Sequence, residues 1–143
     1  MVKKIAFILA FGALLSACTE RENNNIPGIF AVMTFSEKQH DFGNINQGDR
    51  VTHIFTYTNN GAVDLLISNA VGSCGCTVPE YTTEPVHPGE TGEIKVSFNS
   101  AGKSGHQSKT VTITANTQAA KETLTIKASI IPPAGKTAGL KSN

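Results

Sequence analysis

Two thiols separated by one glycine, Cys74-Gly75-Cys76, are the residues of this 143-residue chain whose spacing most exceeds the needs of packing. On a regular strand both side chains would face one way, whereas Gly72 and Gly75 suggest a loop that can pucker to bring the sulfurs together. Four kinds of chemistry suit the pair. The cysteines could be small buried hydrophobes. They could form a disulfide whose small ring departs from the preferred Cα separation, is easily reduced, adds little stability and points to redox sensing or thiol exchange. With a histidine they could hold a soft ion, Cu(I) or Zn(II). They could also be points of covalent attachment or interchain crosslinking. An oxidoreductase would show a Cys-x-x-Cys spacing, a helix N-terminus and a βαβ context, and the sequence has none of these.

The histidines are His40, His53, His87 and His106, none at ligand spacing from the cysteines. His53 falls on the apolar side of its segment, which favours a hydrogen-bonded histidine at the core margin, while His87 and His106 read as loop residues. Asp41, Asp49 and Asp64 are isolated acids, and Glu84, Glu90 and Glu93 straddle a turn. Ser73 precedes Cys74 with no base nearby. There is neither a phosphate-cradling glycine loop nor a Gly-x-Ser-x-Gly elbow. The expectation is a non-enzymatic protein with no catalytic residue, no resident cofactor and no confidently assigned metal site.

The third cysteine is Cys18. Lys3 and Lys4 precede the apolar run Ile5–Leu15, which has the length of a secretory signal and is too short for the roughly 20 apolar residues of a bilayer span. Leu15-Ser16-Ala17-Cys18 resembles the lipobox of bacterial lipoproteins. That resemblance implies cleavage of residues 1–17, a diacylglycerol on the Cys18 thiol and an acylated amino group. Several acyl chains on one residue anchor a protein stably. Cys74 and Cys76 are then left as an even pair in a compartment where disulfides persist. Thr19 follows the anchor where some bacteria place an aspartate for inner-membrane retention, which favours an outer-membrane location; the expected place is the cell envelope, lipid-anchored, at the outer membrane or facing the periplasm.

Lys and Arg number 12 against 11 Asp and Glu, and loss of Lys3 and Lys4 keeps the balance close. No basic footprint for nucleic acid results. Residues 18–29 are polar and aperiodic, a tether whose Thr19–Pro27 part extends about 30 Å. Pro132-Pro133 ends the patterned region, and residues 132–143 read as a disordered tail.

Between them, over residues 30–131, the hydrophobic period is two. Val51, His53, Phe55 and Tyr57 alternate with mostly threonines; Ile94, Val96 and Phe98 alternate with Lys95, Ser97 and Asn99. Val111 and Ile113, then Leu124, Ile126, Ala128 and Ile130, repeat the pattern. Turn residues at Asn46–Asp49, Asn59–Gly61, Gly72–Gly75, His87–Glu90 and Ala101–Gly105 separate the runs, with Pro88-Gly89 suited to a type II turn. Gly43, between the inward candidates Phe42 and Ile45, permits a bend or bulge in a first strand that switches sheets. Asn59-Asn60-Gly61 supplies residues that tolerate positive φ. The pattern predicts an all-β, immunoglobulin-like antiparallel β-sandwich of about seven strands.

The order His40-Asp41-Phe42-Gly43-Asn44-Ile45, Gly48, Phe55, Asn59-Asn60-Gly61, Leu65, Ile67, Ser73-Cys74-Gly75-Cys76-Thr77, Pro88-Gly89, Lys109, Val111, Ile113 and Asn116 resembles the bacterial family of domain of unknown function 1573, over about residues 33–131. The resemblance implies an Ig-like module of the major-sperm-protein and hydin-like superfamily, whose members mostly bind or scaffold. It implies no reaction. The expected protein is a monomeric cell-envelope lipoprotein, held to the membrane by Cys18, whose sandwich binds an envelope protein or polymer through a sheet edge or end loops. The alternative is a thiol-redox or soft-metal lipoprotein that uses Cys74 and Cys76.

Overall fold

The computed structural model describes residues 29–134, and every regular element among them is a strand. Residues 1–17, Cys18 with most of the tether, and the end of the tail lie outside the described residues. The strands are β1 (Met33–Phe35), β2 (Gln39–Asn46), β3 (Arg50–Asn59), β4 (Ile67–Gly72), β5 (Thr77–Tyr81), β6 (Thr91–Asn99), β7 (Gly105–Ala115) and β8 (Lys121–Ile131). One sheet has the order β1-β3-β6-β5 and the other β2-β8-β7-β4.

The period of two builds the core. Phe55, Tyr57, Ile94, Val96 and Phe98 face inward from the first sheet, and Val111, Ile113, Leu124, Ile126, Ala128 and Ile130 meet them from the second. Burying each large side chain of this kind is worth roughly 1.5–3 kcal/mol. Tyr57 lies opposite Gly92 on β6, and a Cβ at Gly92 would run into the Tyr57 ring. The missing side chain thus makes room for the aromatic one.

Eight strands replace the expected seven because the first divides. The chain leaves the first sheet at Ser36–Lys38 rather than at Gly43. Ser36 still donates to the Thr56 carbonyl, while the Lys38 carbonyl already accepts from Thr125 of β8. The pairing of β2 with β8 is consequently parallel, an exception to the antiparallel expectation. Gly43, at φ +67°, forms the bulge within β2, and its N–H donates to Asp41 Oδ1 at 2.8 Å. Ile45 is buried and Phe42 packs against the core, as their sides required.

The turn at His87–Glu90 has the type II form: Gly89 sits at φ +85°, and Glu90 N–H donates to the His87 carbonyl at 3.0 Å. The Asn59–Gly61 corner works differently from the expectation. Gly61 has no positive φ; a Cβ there would collide with the backbone of Phe30, Ala31 and Val32. Asn59 is fully buried, donates from Nδ2 to the carbonyls of Val63 and Val86 at 2.8 Å each, and accepts at Oδ1 from Gly61 N–H at 3.0 Å. The corner is a hydrogen-bonded brace. It builds the fold.

Candidate functional site

The two lateral flanks of the sandwich are each crossed by chain passing directly between the edge strands of the two sheets. On one flank β4 passes to β5 through Ser73-Cys74-Gly75-Cys76, and the two sulfurs are bonded to each other. Their Cα atoms stand 5.2 Å apart, inside the ordinary range for disulfides, in contrast to the departure expected from so small a ring. The surroundings hold the loop closely. Ser73 N–H donates to the Thr110 carbonyl at 2.8 Å, Thr110 N–H returns a bond to Ser73 Oγ at 3.1 Å, and Asn99 N–H donates to the Cys76 carbonyl at 2.9 Å.

Both cysteines are half-buried, with Cys76 packed against the core and Gly75 exposed. Thr77 Oγ1 lies 3.5 Å from Cys74 Sγ. A Cβ on Gly72 would strike the Thr77 carbonyl, so that glycine is required by close approach of the two strands. Gly75, by contrast, has open space around it.

On the opposite flank β1 passes to β2, and here polar side chains collect. His40 of β2 stacks on His53 of β3, with ring centroids 3.5 Å apart and planes 7° from parallel. Phe42 meets the His40 ring edge-on at 4.7 Å, and Phe55 meets that of His53 at 4.8 Å. Glu37, in the crossing segment, accepts at Oε1 from His53 Nε2 at 2.7 Å. Burial holds the His40 pKa below the ordinary imidazole value, the neighbouring His53 charge lowers it further, and Glu37 and Asp41 act in the opposite direction.

His53 is thus the hydrogen-bonded histidine at the core margin that its strand position implied. Its meeting with His40 and Glu37 was not legible. The usable signal was parity: His40 shares a side with Phe42, and His53 with Phe55, so both rings look inward. Nothing in the sequence pairs the two strands across the sheets. Among the described residues, the one grouping of three or more potential ligands is Glu37, His40 and His53, and neither Cys74 nor Cys76 belongs to it. His87 instead bonds through Nδ1 to Asp64 at 2.8 Å, an arrangement that raises its pKa through that hydrogen bond and the Asp64 charge, and His106 bonds to Ser129 Oγ.

The same flank exposes backbone. β1 covers β3 only at Tyr57–Asn59, with one further bond from Ser36 to Thr56. Backbone groups of alternate residues point the same way, so the N–H and C=O groups of Arg50, Thr52 and Ile54 face the side that no described strand pairs. Every terminal strand is blunted by comparison: β1 has three residues, β2 and β4 carry register shifts, and β5 contains Pro79.

Two four-stranded sheets, with the chain crossing from one to the other between β1 and β2, define an Ig-like sandwich. Residues 33–130 match the family described as protein of unknown function DUF1573, and the chain belongs to that family. No curated protein matches its sequence. A Porphyromonas gingivalis W83 protein of unknown function is similar in structure at TM-score 0.61 and 17% identity, over 69% of this chain and 46% of that one. The ASH/PapD-like domain 7 of human CEP192 is similar at TM-score 0.54 and 10% identity, over 87% of this chain and 98% of that domain. The Vibrio cholerae VesB protease matches at TM-score 0.54 and 16% identity, over 68% of this chain and only 31% of the protease. The chain therefore spans less than half of the first and about a third of the last. At these identities the likeness is one of fold.

Proposed function

We propose that this protein is an exported lipoprotein, anchored in a bacterial envelope membrane through acyl chains on Cys18, whose sandwich is a non-enzymatic binding module for an extended segment of an envelope protein. The observation that carries the binding mode is the uncovered side of β3 at Arg50, Thr52 and Ile54, beside terminal strands that are each short, shifted or interrupted by proline. An incoming strand would use those backbone groups for affinity and the neighbouring side chains for selection. Ile54, exposed to 46%, gives such a strand an apolar contact. The anchor rests on Leu15-Ser16-Ala17-Cys18 and the apolar run before it.

A photoreactive residue at Ile54 of the full-length chain, activated in intact envelopes, tests the reading. Crosslinking to a defined partner should be lost in Thr52→Pro, which removes a donor from the uncovered side. Capture that is indifferent to the proline contradicts strand addition. Mass spectrometry of the amino-terminal peptide tests the anchor, with an unmodified Cys18 as the contrary result.

A second reading, thiol exchange at Cys74 and Cys76, is supported by the bonded sulfurs in a half-exposed loop. Reduction would take two electrons and two protons from a dithiol donor and yield two thiols. Thiol counting on protein isolated under non-reducing conditions tests it. A pair that never cycles in the envelope contradicts it.

A further inference from the structure

We propose that Glu37, His40 and His53 form a binding site for a divalent transition-metal cation, with Zn(II) as the reference ion. Each residue offers one ligand atom, and these atoms all lie within 4.8 Å of one another. The three come from the crossing segment and from both sheets, so an ion held by them would tie β2 to β3 where no backbone pairing does. Two imidazoles and one carboxylate suit Zn(II), Cu(II) or Ni(II) far better than the oxygen-seeking Mg(II) or Ca(II).

The geometry also states what must move. Donor atoms around one tetrahedral Zn(II) stand about 3.4 Å apart, given metal–ligand distances of roughly 2.0–2.1 Å. The group must therefore contract, and the hydrogen bond between His53 Nε2 and Glu37 Oε1 must open. The ion takes the place of the Nε2 proton, which leaves to solvent. Stacked rings direct their in-plane lone pairs side by side, so one ring must turn out of the stack to aim at an ion held by the other. His40, on a terminal strand and without a side-chain hydrogen bond of its own among the described residues, is the ring that would turn, away from its edge-on contact with Phe42. His53 is held between Phe55 and Glu37.

Phe42 and Phe55 close the inner side of the cluster. That apolar wall limits water behind the ligands.

The test is titration of the full-length chain, purified in detergent, with zinc chloride, followed by calorimetry and by nitrogen-detected spectra of the histidine rings. The expected result is one saturable ion per chain, with the His40 and His53 ring signals shifting and those of His87 and His106 unmoved. Glu37→Gln, at an exposed position that cannot unfold the core, should weaken binding on the order of tenfold or more, as should His40→Gln. The double variant Cys74→Ser/Cys76→Ser should bind as tightly as the parent. No saturable binding, affinity unchanged by Glu37→Gln and His40→Gln, or binding lost only with the cysteines would each overturn the proposal. Should His53→Gln fail to fold, the ring spectra of the unaltered protein and the Glu37 variant still decide.

Discussion

The two flanks of the sandwich solve one problem in opposite ways. Each must carry the chain from one sheet to the other, leaving hydrogen-bonding edges behind. At Cys74–Cys76 the crossing is closed by a covalent ring, by glycine-permitted contact between Gly72 and Thr77, and by backbone bonds to Thr110 and Asn99. At Ser36–Lys38 the crossing is held by one backbone bond at each end and by the Glu37–His53 side-chain bond between them, and it leaves β3 uncovered from Arg50 to Ile54. The difference lies in how much of an inner strand each crossing leaves unpaired: the covalent one holds β4 and β5 close at Gly72 and Thr77, whereas the polar one leaves Arg50, Thr52 and Ile54 of β3 without a strand partner on one side. In the binding role proposed above, the open flank is the working face.

The comparison can be broken at several strengths. Phe55→Ala, which removes the floor beneath His53, should cost about 3–5 kcal/mol in denaturant unfolding, because Phe55 is fully buried. A smaller cost would mean that the open flank is loosely packed. Gly72→Ala should follow at about 1–3 kcal/mol, since its new Cβ meets Thr77 backbone, while Gly75→Ala, in open space, should stay within about 0.5 kcal/mol. Equal effects at the two glycines would deny the close approach that seals the closed flank.

Reducing Cys74–Cys76 should lower stability by only about 1–2 kcal/mol, because so short a loop removes little freedom from the unfolded chain. Denaturant midpoints with and without reductant measure it. A collapse of the fold on reduction would make the ring the main brace of that flank rather than one of several.

The smallest effect belongs to the stacked imidazoles. His40 has a folded pKa below its ordinary 6.5, so the unfolded chain takes up a proton at a pH where the folded protein does not. Stability from this group is therefore lost as pH falls below 6.5, and the loss levels off beneath the folded value. His87 has a raised pKa, and its contribution runs the other way, present at low pH and lost as pH rises past its folded value. The difference between the parent and His40→Gln isolates the first effect: the variant should lose less stability on acidification. An identical pH profile would mean that the stack places no constraint on protonation.

Much of the fold was legible because it rests on local rules. Alternation placed Phe55, Tyr57, Ile94, Val96, Phe98 and the β7 and β8 residues inside, and Pro88-Gly89 specified its turn. The crossing at Ser36–Lys38 was not legible, since three exposed polar residues carry no periodic signal and Gly43 offered a more obvious bend. Gly61 was misread as a matter of φ because a sequence does not reveal which backbone passes close by. Of the candidate sites, Cys74-Gly75-Cys76 declares itself by spacing within one loop. Glu37, His40 and His53 depend on which strands face each other across the core, information that long-range topology alone supplies.

Backbone amide exchange, compared between the purified chain and the chain in isolated envelopes, tests most directly the claim that the open flank is the working face. The account predicts fast exchange at Thr52 and Ile54 in the purified protein and marked protection of both in the envelope, with β5 unchanged. Protection that arises at β5 or around Cys74–Cys76, with Thr52 and Ile54 still exchanging fast, would contradict it.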